Sequence, residues 1–335
     1  MLASPFENVK HIPSYEEIVK KIERKYAKLD SKLRELLNIK VKNKELQRIG
    51  LVYSLIHNTL DSIVKTMPHA DKIHPFYRGL LDVLVDVEEY RKAILRLANA
   101  RKILDKIHKE CLNLMKLAQE PKECAHIRRS CIGRMMSVLR RNRRYIDFLA
   151  SAIVKLRETP SINPEELTII VAGMPQVGKS TLVKAISTAK PEIASYPFTT
   201  KNLVVGHIFL KHDRKVQVID TPGLLDRPLS ERNPIELQAI MALKHVKGVI
   251  LYLFDVSIEC YYTLEEQIRV FEEILSSFDK PVKVALNKVD IKDEDKVVKV
   301  KKYLKEKGFE KVFEISAKKG LGLNELLSDL LRDLI

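Results

Sequence analysis

The chain has 335 residues and a mass of 38.5 kDa, and its 45% hydrophobic and 31% charged residues exclude a mainly disordered polymer. That length has room for two domains, each burying its own core. The longest apolar run lies within Gly248 to Phe254, far short of the ~20 residues a membrane span needs, and MLASPFENVKHIPSYEE at the start has no signal-peptide stretch. A soluble, cytoplasmic protein with no membrane partner is expected.

The net charge of +15 is unevenly spread. Residues 1–160 hold 33 Lys/Arg against 19 Asp/Glu, giving +14, whereas residues 161–335 hold 26 against 25, giving +1. Such asymmetry points to a basic domain facing a polyanion, joined to a near-neutral domain with another task. A thermophile's Lys/Glu-rich surface is the bland alternative, but it predicts mixed signs in both halves.

Residues up to 157 read as helix. Ile18, Ile22, Leu29, Leu33 and Leu36 recur at helical steps, as do Ile103, Ile107, Cys111 and Leu114, with breaks near Asn38–Asn43, residues 67–75 and Pro121. The clearest helix comes last: Ile132, Met135, Leu139, Asn142, Ile146, Leu149, Ile153 and Leu156 follow one heptad frame, and only Asn142 is polar. Its other faces carry Arg134, Arg140, Arg141, Arg143 and Arg144. Arginine's planar fork suits phosphate, so these five are candidates for RNA binding; a plain solvated face is the alternative. The four cysteines, Cys111, Cys124, Cys131 and Cys260, form no C-x-x-C pair and are expected as reduced, mostly buried thiols.

Residues 158–167, ETPSINPEEL, carry Pro160 and Pro164 and read as the joint between a helical domain, 1–160, and a second domain, 161–335. Strands are expected at Leu167–Ala172, Leu203–Leu210, Lys215–Ile219, Gly248–Asp255, Val282–Leu286 and Lys311–Ile315. Helices between most of them imply a mostly parallel six-stranded α/β sheet; the second and third strands are close enough to form a hairpin.

GMPQVGKS, Gly173 to Ser180, is a complete phosphate-binding loop between a strand and a helix. Its amides and those at the helix start (Gly173, Gln176, Val177, Gly178, Lys179, Ser180, Thr181) would cradle phosphates. Lys179 would reach the β- and γ-phosphates, and Ser180 would ligate Mg²⁺. In DTPG, Asp220 can hold a Mg²⁺-bound water, and Gly223 can offer its N–H to a γ-phosphate. In NKVD, Asn287, Lys288 and Asp290 follow a strand, and the Asp290 carboxylate can accept two hydrogen bonds from guanine that adenine cannot give. SAK (Ser316, Ala317, Lys318) ends the last strand and can pack on the base. Four such motifs in order, each at a strand's C-terminal end, point to a GTP/GDP site with Mg²⁺.

This order resembles a Ras-like G domain. The stretches IGRMMSVLRR, TPSINP, FTTKNLVVGH and DTPGLLDRPLSERNPIELQAI are similar to those of the Obg-related nucleolar GTP-binding protein family. The resemblance covers roughly residues 5–335 and implies a helical bundle before a G domain, bound to the maturing large ribosomal subunit and its rRNA. The chain stops after the last expected helix, as in a short archaeal-type form without the eukaryotic C-terminal extension. By the family motif, Thr200 is the switch threonine that reaches Mg²⁺ and shares catalysis with Lys179; Thr199 is the other candidate. Leu224 stands where Ras-like enzymes place the glutamine that orients water, so intrinsic hydrolysis should be slow without a partner. A slow, Mg²⁺-dependent GTPase switch in ribosome assembly is the first expectation. An RNA-binding scaffold with nucleotide as a structural ligand, or a non-ribosomal regulatory GTPase, are the alternatives. A monomer is expected.

Overall fold

The computed structural model describes residues 4–7, 9–36, 39–158, 162–194, 203–210 and 214–334. The chain forms two compact units. One comprises Pro5–Ile73 and Leu84–Arg157; the other holds Ser4, His74–Val83 and Glu158–Ile335. The division falls near residue 158, and residues 74–83 group with the second unit and not with the helices that flank them in sequence.

The first unit is all helix: α1 (Tyr15–Glu35), α2 (Val41–Thr66), α4 (Val87–Leu117), α5 (Pro121–Arg141) and α6 (Arg143–Arg157), with α3 (Pro75–Leu84) belonging almost entirely to the other unit. Starts are set by side-chain caps. Ser14 and Glu17 form a reciprocal capping box on α1, Asp86 accepts from the Glu89 N–H on α4, and Pro121 opens α5 where no amide is needed. The core is a seam of fully buried residues, among them Val52, Ile56 and Leu60 on α2, Leu97 and Leu104 on α4, and Met135 and Leu139 on α5. The long final helix expected from the heptad frame is interrupted at its single polar seam position: Asn142 ends α5 and its side chain donates to the Val138 carbonyl at 2.8 Å.

Two of the four expected thiols are not free. Cys111 on α4 and Cys131 on α5 are joined by a disulfide, with Cα atoms 6.1 Å apart; Cys124 and Cys260 remain free. A separation of 20 residues carries no pairing signal in the sequence, because the two meet only when α5 folds back along α4.

The second unit is a covered, mostly parallel sheet in the order β2-β3-β4-β1-β5-β6-β7. Its strands are β1 (Thr168–Ala172), β2 (Glu192–Ala194), β3 (Leu203–Phe209), β4 (Lys215–Asp220), β5 (Gly248–Asp255), β6 (Val282–Asn287) and β7 (Val312–Glu314). The six expected strands are all present, and β2 adds a three-residue edge paired antiparallel to β3. β3 and β4 pair antiparallel as the expected hairpin; β1, β4, β5, β6 and β7 are parallel. β1 is buried throughout, as both-sided cover demands of a central parallel strand. Helices α7 (Lys179–Ile186), α8 (Pro234–Ala242), α9 (Leu264–Ser277), α10 (Glu294–Glu306) and α11 (Leu323–Leu334) complete the unit.

Helix α3 is fixed to this second unit by specific contacts. The Tyr77 hydroxyl donates to the Ile162 carbonyl at 2.6 Å, and His74 stands 3.2 Å from Glu165. Gly79 lies so close to α8 that a Cβ there would meet the Ala242 Cβ at 3.1 Å. Beyond the joint, Gln217 of β4 accepts from the Asn163 N–H and donates to the Asn163 carbonyl, which holds residues 162–166 against the sheet.

Candidate nucleotide site

All four motifs lie at the C-terminal ends of strands. The chain leaves β1 through α7 toward the β2-β3-β4 side and then crosses from β4 past β1 to β5, so the strand order reverses at β1, where a doubly wound sheet opens a crevice for a ligand. The phosphate loop leaves β1 at Ala172. Its backbone demands positive φ at Gly173 and Gly178, and at Gly178 a Cβ would strike the Asn287 amide at 2.3 Å, so no larger residue fits. Gln176 is left-handed as well. The buried Lys179 Nζ donates to the carbonyls of Gly173 and Met174, each at 2.8 Å, which places its charge across the mouth of the loop. Thr181 follows Ser180 in the first turn of α7.

The Ser180 hydroxyl donates to Asp220 Oδ2. Asp220 is fully buried, and burial pushes its carboxyl above the ordinary value despite the pull of Ser180 and Lys179. Its other oxygen, Oδ1, is buried with no hydrogen-bond partner among the described residues. A magnesium ion suits this donor set. It prefers hard oxygen ligands, and it would compensate a carboxylate oxygen that the protein leaves unpaired. Among the described residues no group of three or more His, Cys, Asp or Glu could hold a metal, so phosphate and water oxygens would supply the remaining ligands. Thr199 and Thr200 lie outside the described residues.

The NKVD and SAK segments are tied to the phosphate loop through one side chain. Asn287, 2% exposed, donates to the Val177 carbonyl at 2.7 Å and accepts from the Ala317 N–H at 3.0 Å. Lys288 is left-handed and pairs with the buried Asp255 at 2.5 Å. Asp290 is exposed, and the Ser316 hydroxyl, the largest influence on it, holds its carboxyl below the ordinary range, with Lys319 and Lys318 adding to the effect. An ionised carboxylate is acceptor-only, which is what guanine's N1–H and N2 amino group require. Ser316 and Ala317 are buried and Lys318 is exposed beside them.

A family model described as the NOG1 N-terminal helical domain matches residues 6–163, and one described as Nucleolar GTP-binding protein 1 matches residues 234–290. The chain belongs to the nucleolar GTP-binding protein 1 family. Nucleolar GTP-binding protein 1 of Drosophila melanogaster is 41% identical over 236 residues, which is 70% of this chain and 36% of that protein. An uncharacterized protein of Methanocaldococcus jannaschii is 36% identical over 298 residues, 88% of this chain and 83% of that protein. The chain thus spans little more than a third of the length of the fly relative. A crystal structure of a Plasmodium falciparum nucleolar GTP-binding protein 1 shares 39% identity, with a TM-score of 0.46 over 52% of this chain and 89% of that one.

Several site residues were not legible in the motifs. Thr221 is fully buried and its hydroxyl donates to the Val171 carbonyl at 2.7 Å, fastening the DTPG turn to β1. Asp255, at the end of β5, orders Lys288. Asp226 and Arg232, in the tract after DTPG, close a hydrogen-bonded ring around Gly223. Leu224 and Leu225 are both buried, so the position that carries glutamine in Ras-like enzymes serves the core.

In the helical unit the five arginines divide. Arg134 pairs with Glu110 at 2.6 Å, Arg143 with Glu16 at 3.1 Å, and Arg144 with Glu89 at 3.0 Å. Arg140 and Arg141 are exposed and meet no carboxylate among the described residues. A separate cavity of about 560 Å³ in this unit is lined by Lys10, Lys21 and Lys25 and the polar side chains of Ser54, Asn58 and Thr59 on α2, with no carboxylate among its lining residues. None of the described helices is long and apolar enough to cross a membrane.

Proposed function

We propose that this chain binds GTP and GDP with Mg²⁺ and hydrolyses GTP slowly, as a switch in assembly of the large ribosomal subunit. The observation that carries the nucleotide reading is Asn287, which joins the phosphate loop to the base-reading turn through two hydrogen bonds. Asp290 would read guanine, the loop amides and Lys179 would hold the phosphates, and Ser180 and Asp220 would hold the ion, which neutralises developing charge on the phosphates when bound. Hydrolysis adds water at the γ-phosphorus and breaks its bond to the β–γ bridging oxygen. Lys179 and the loop amides stabilise the charge that develops. Leu224 cannot polarise water, so the chain's own residues leave the nucleophile poorly oriented, and a partner-supplied group is needed for fast turnover.

The helical unit is proposed to grip ribosomal RNA. The charge of +14 over residues 1–160, Arg140 and Arg141, which meet no carboxylate among the described residues, and the lysine-lined cavity support this reading. Arg134, Arg143 and Arg144 are already engaged in ion pairs and are weaker candidates. A scaffold with structural nucleotide is favoured by the buried Leu224. Co-sedimentation with large ribosomal subunits, with GDP and with a non-hydrolysable GTP analogue over a salt series, separates the readings. Stronger binding with the analogue, weakened by salt, supports the switch. Salt-sensitive binding that ignores the nucleotide supports the scaffold, and absence of binding at low salt refutes the ribosomal assignment.

A further inference from the structure

The Gly223 N–H, the group placed to meet a γ-phosphate, is already bonded: it donates to Asp226 Oδ2 at 2.7 Å. Asp226 is in turn held by Arg232, whose Nη2 lies 3.0 Å from Asp226 Oδ1. The same guanidinium donates to the carbonyls of Gly223 at 2.7 Å and Leu224 at 2.8 Å, and its side chain is only 3% exposed. Gly223, Asp226 and Arg232 line a cavity of about 540 Å³ together with Met174 and Pro175 of the phosphate loop.

We propose that Asp226, positioned by Arg232, sets the preference of this site between GTP and GDP by competing with the γ-phosphate for the Gly223 N–H. The inference rests on the reading of the site as a guanine-nucleotide site. One N–H cannot serve two anions, and a phosphate oxygen brought beside a carboxylate is repelled by it. GDP does not extend to this amide and leaves the bond intact. GTP must displace the carboxylate and forfeit a charge-assisted hydrogen bond. Arg232 keeps its two bonds to backbone carbonyls when Asp226 leaves, and Leu224 and Leu225 stay buried. The exchange is therefore a swing of one side chain against a fixed backbone. Asp226 is a specificity determinant, and Arg232 is a positioning residue.

The test is equilibrium binding of GDP and of a non-hydrolysable GTP analogue to the full chain in Mg²⁺. Asp226→Ala removes the competitor, and analogue affinity should rise roughly tenfold or more while GDP affinity stays within about twofold. Asp226→Asn keeps shape and an acceptor but loses the charge, so it should give a smaller gain, roughly threefold, and it decides the matter if the alanine variant does not fold. A ratio of the two affinities that is unchanged in a folded variant overturns the proposal, because a purely structural role would weaken both ligands together. Wild-type protein that binds neither nucleotide overturns the site reading itself, a result distinct from a working site indifferent to Asp226.

Discussion

Replacing Asn287 by alanine should disable the nucleotide site although Asn287 is assigned no direct bond to the base. The side chain is 2% exposed and makes two bonds, from Nδ2 to the Val177 carbonyl at 2.7 Å and to Oδ1 from the Ala317 N–H at 3.0 Å. Truncation leaves a carbonyl of the phosphate loop and an amide of the base-reading turn without partners in a buried setting. Each such group costs about 1–3 kcal/mol, and partial rescue by water brings the total to about 2–4 kcal/mol. If that energy is what holds the two segments in binding register, GDP affinity falls between about thirtyfold and a thousandfold. A titration with a fluorescent GDP analogue measures it, alongside thermal unfolding to separate local from global loss. Asn287→Asp sharpens the test: it retains an acceptor for Ala317 but sets a carboxylate against the Val177 carbonyl, so it too should bind poorly. Affinity of the alanine variant within about threefold of wild type would refute the reasoning that this side chain couples the two segments.

Asp290→Asn should turn the preference from guanine toward xanthine, since an amide presents a donor where guanine also presents one; competition binding with xanthosine diphosphate reads it. Asp329 on α11 accepts from Lys311 at 2.6 Å and Lys283 at 3.0 Å. Burial alone would raise its pKa, but these lysines outweigh burial and hold it down at about 2. A depressed carboxylate stabilises the fold above its unfolded value near 4, and that stability is lost as pH falls from about 4 through about 2. Asp329→Asn should therefore cost about 1–2 kcal/mol near neutrality, discounted because Lys311 is half-exposed, and should flatten the acid limb of a stability curve. Thiol titration of denatured, unreduced protein should find two reactive cysteines, Cys124 and Cys260, and reduction should lower the stability of the helical unit by about 3 kcal/mol for a loop of 20 residues.

The motifs of the candidate site were legible in the sequence because their chemistry is local. A phosphate loop needs glycines at fixed positions in one short segment, and NKVD needs its carboxylate three residues after its asparagine, so spacing alone reveals both. Buried strands such as β1 and β5 announced themselves as continuous apolar runs. What stayed hidden depends on long-range meeting. Nothing in Cys111 or Cys131 names the other, and a three-residue edge strand such as β2 has too few residues to show a period. Asp226 and Arg232 lay in plain view just after DTPG, yet their closure around Gly223 follows from a turn whose shape no spacing rule gives. The five arginines looked alike as a charge run. Only the placement of Glu16, Glu89 and Glu110 separates the three that are paired from Arg140 and Arg141.

The placement of α3 bears on how this protein is made and divided. Residues 74–83 leave the synthesising machinery more than 150 residues before Ala242, the neighbour that Gly79 approaches. Until then the buried side chains of Phe76, Tyr77, Leu80 and Leu81 wait without their final cover, and the unit that carries the sheet cannot close. Cleavage at residue 160 would not yield two self-sufficient pieces: the downstream piece would lack a helix that its fold includes, and the upstream piece would carry an apolar helix with nowhere to go.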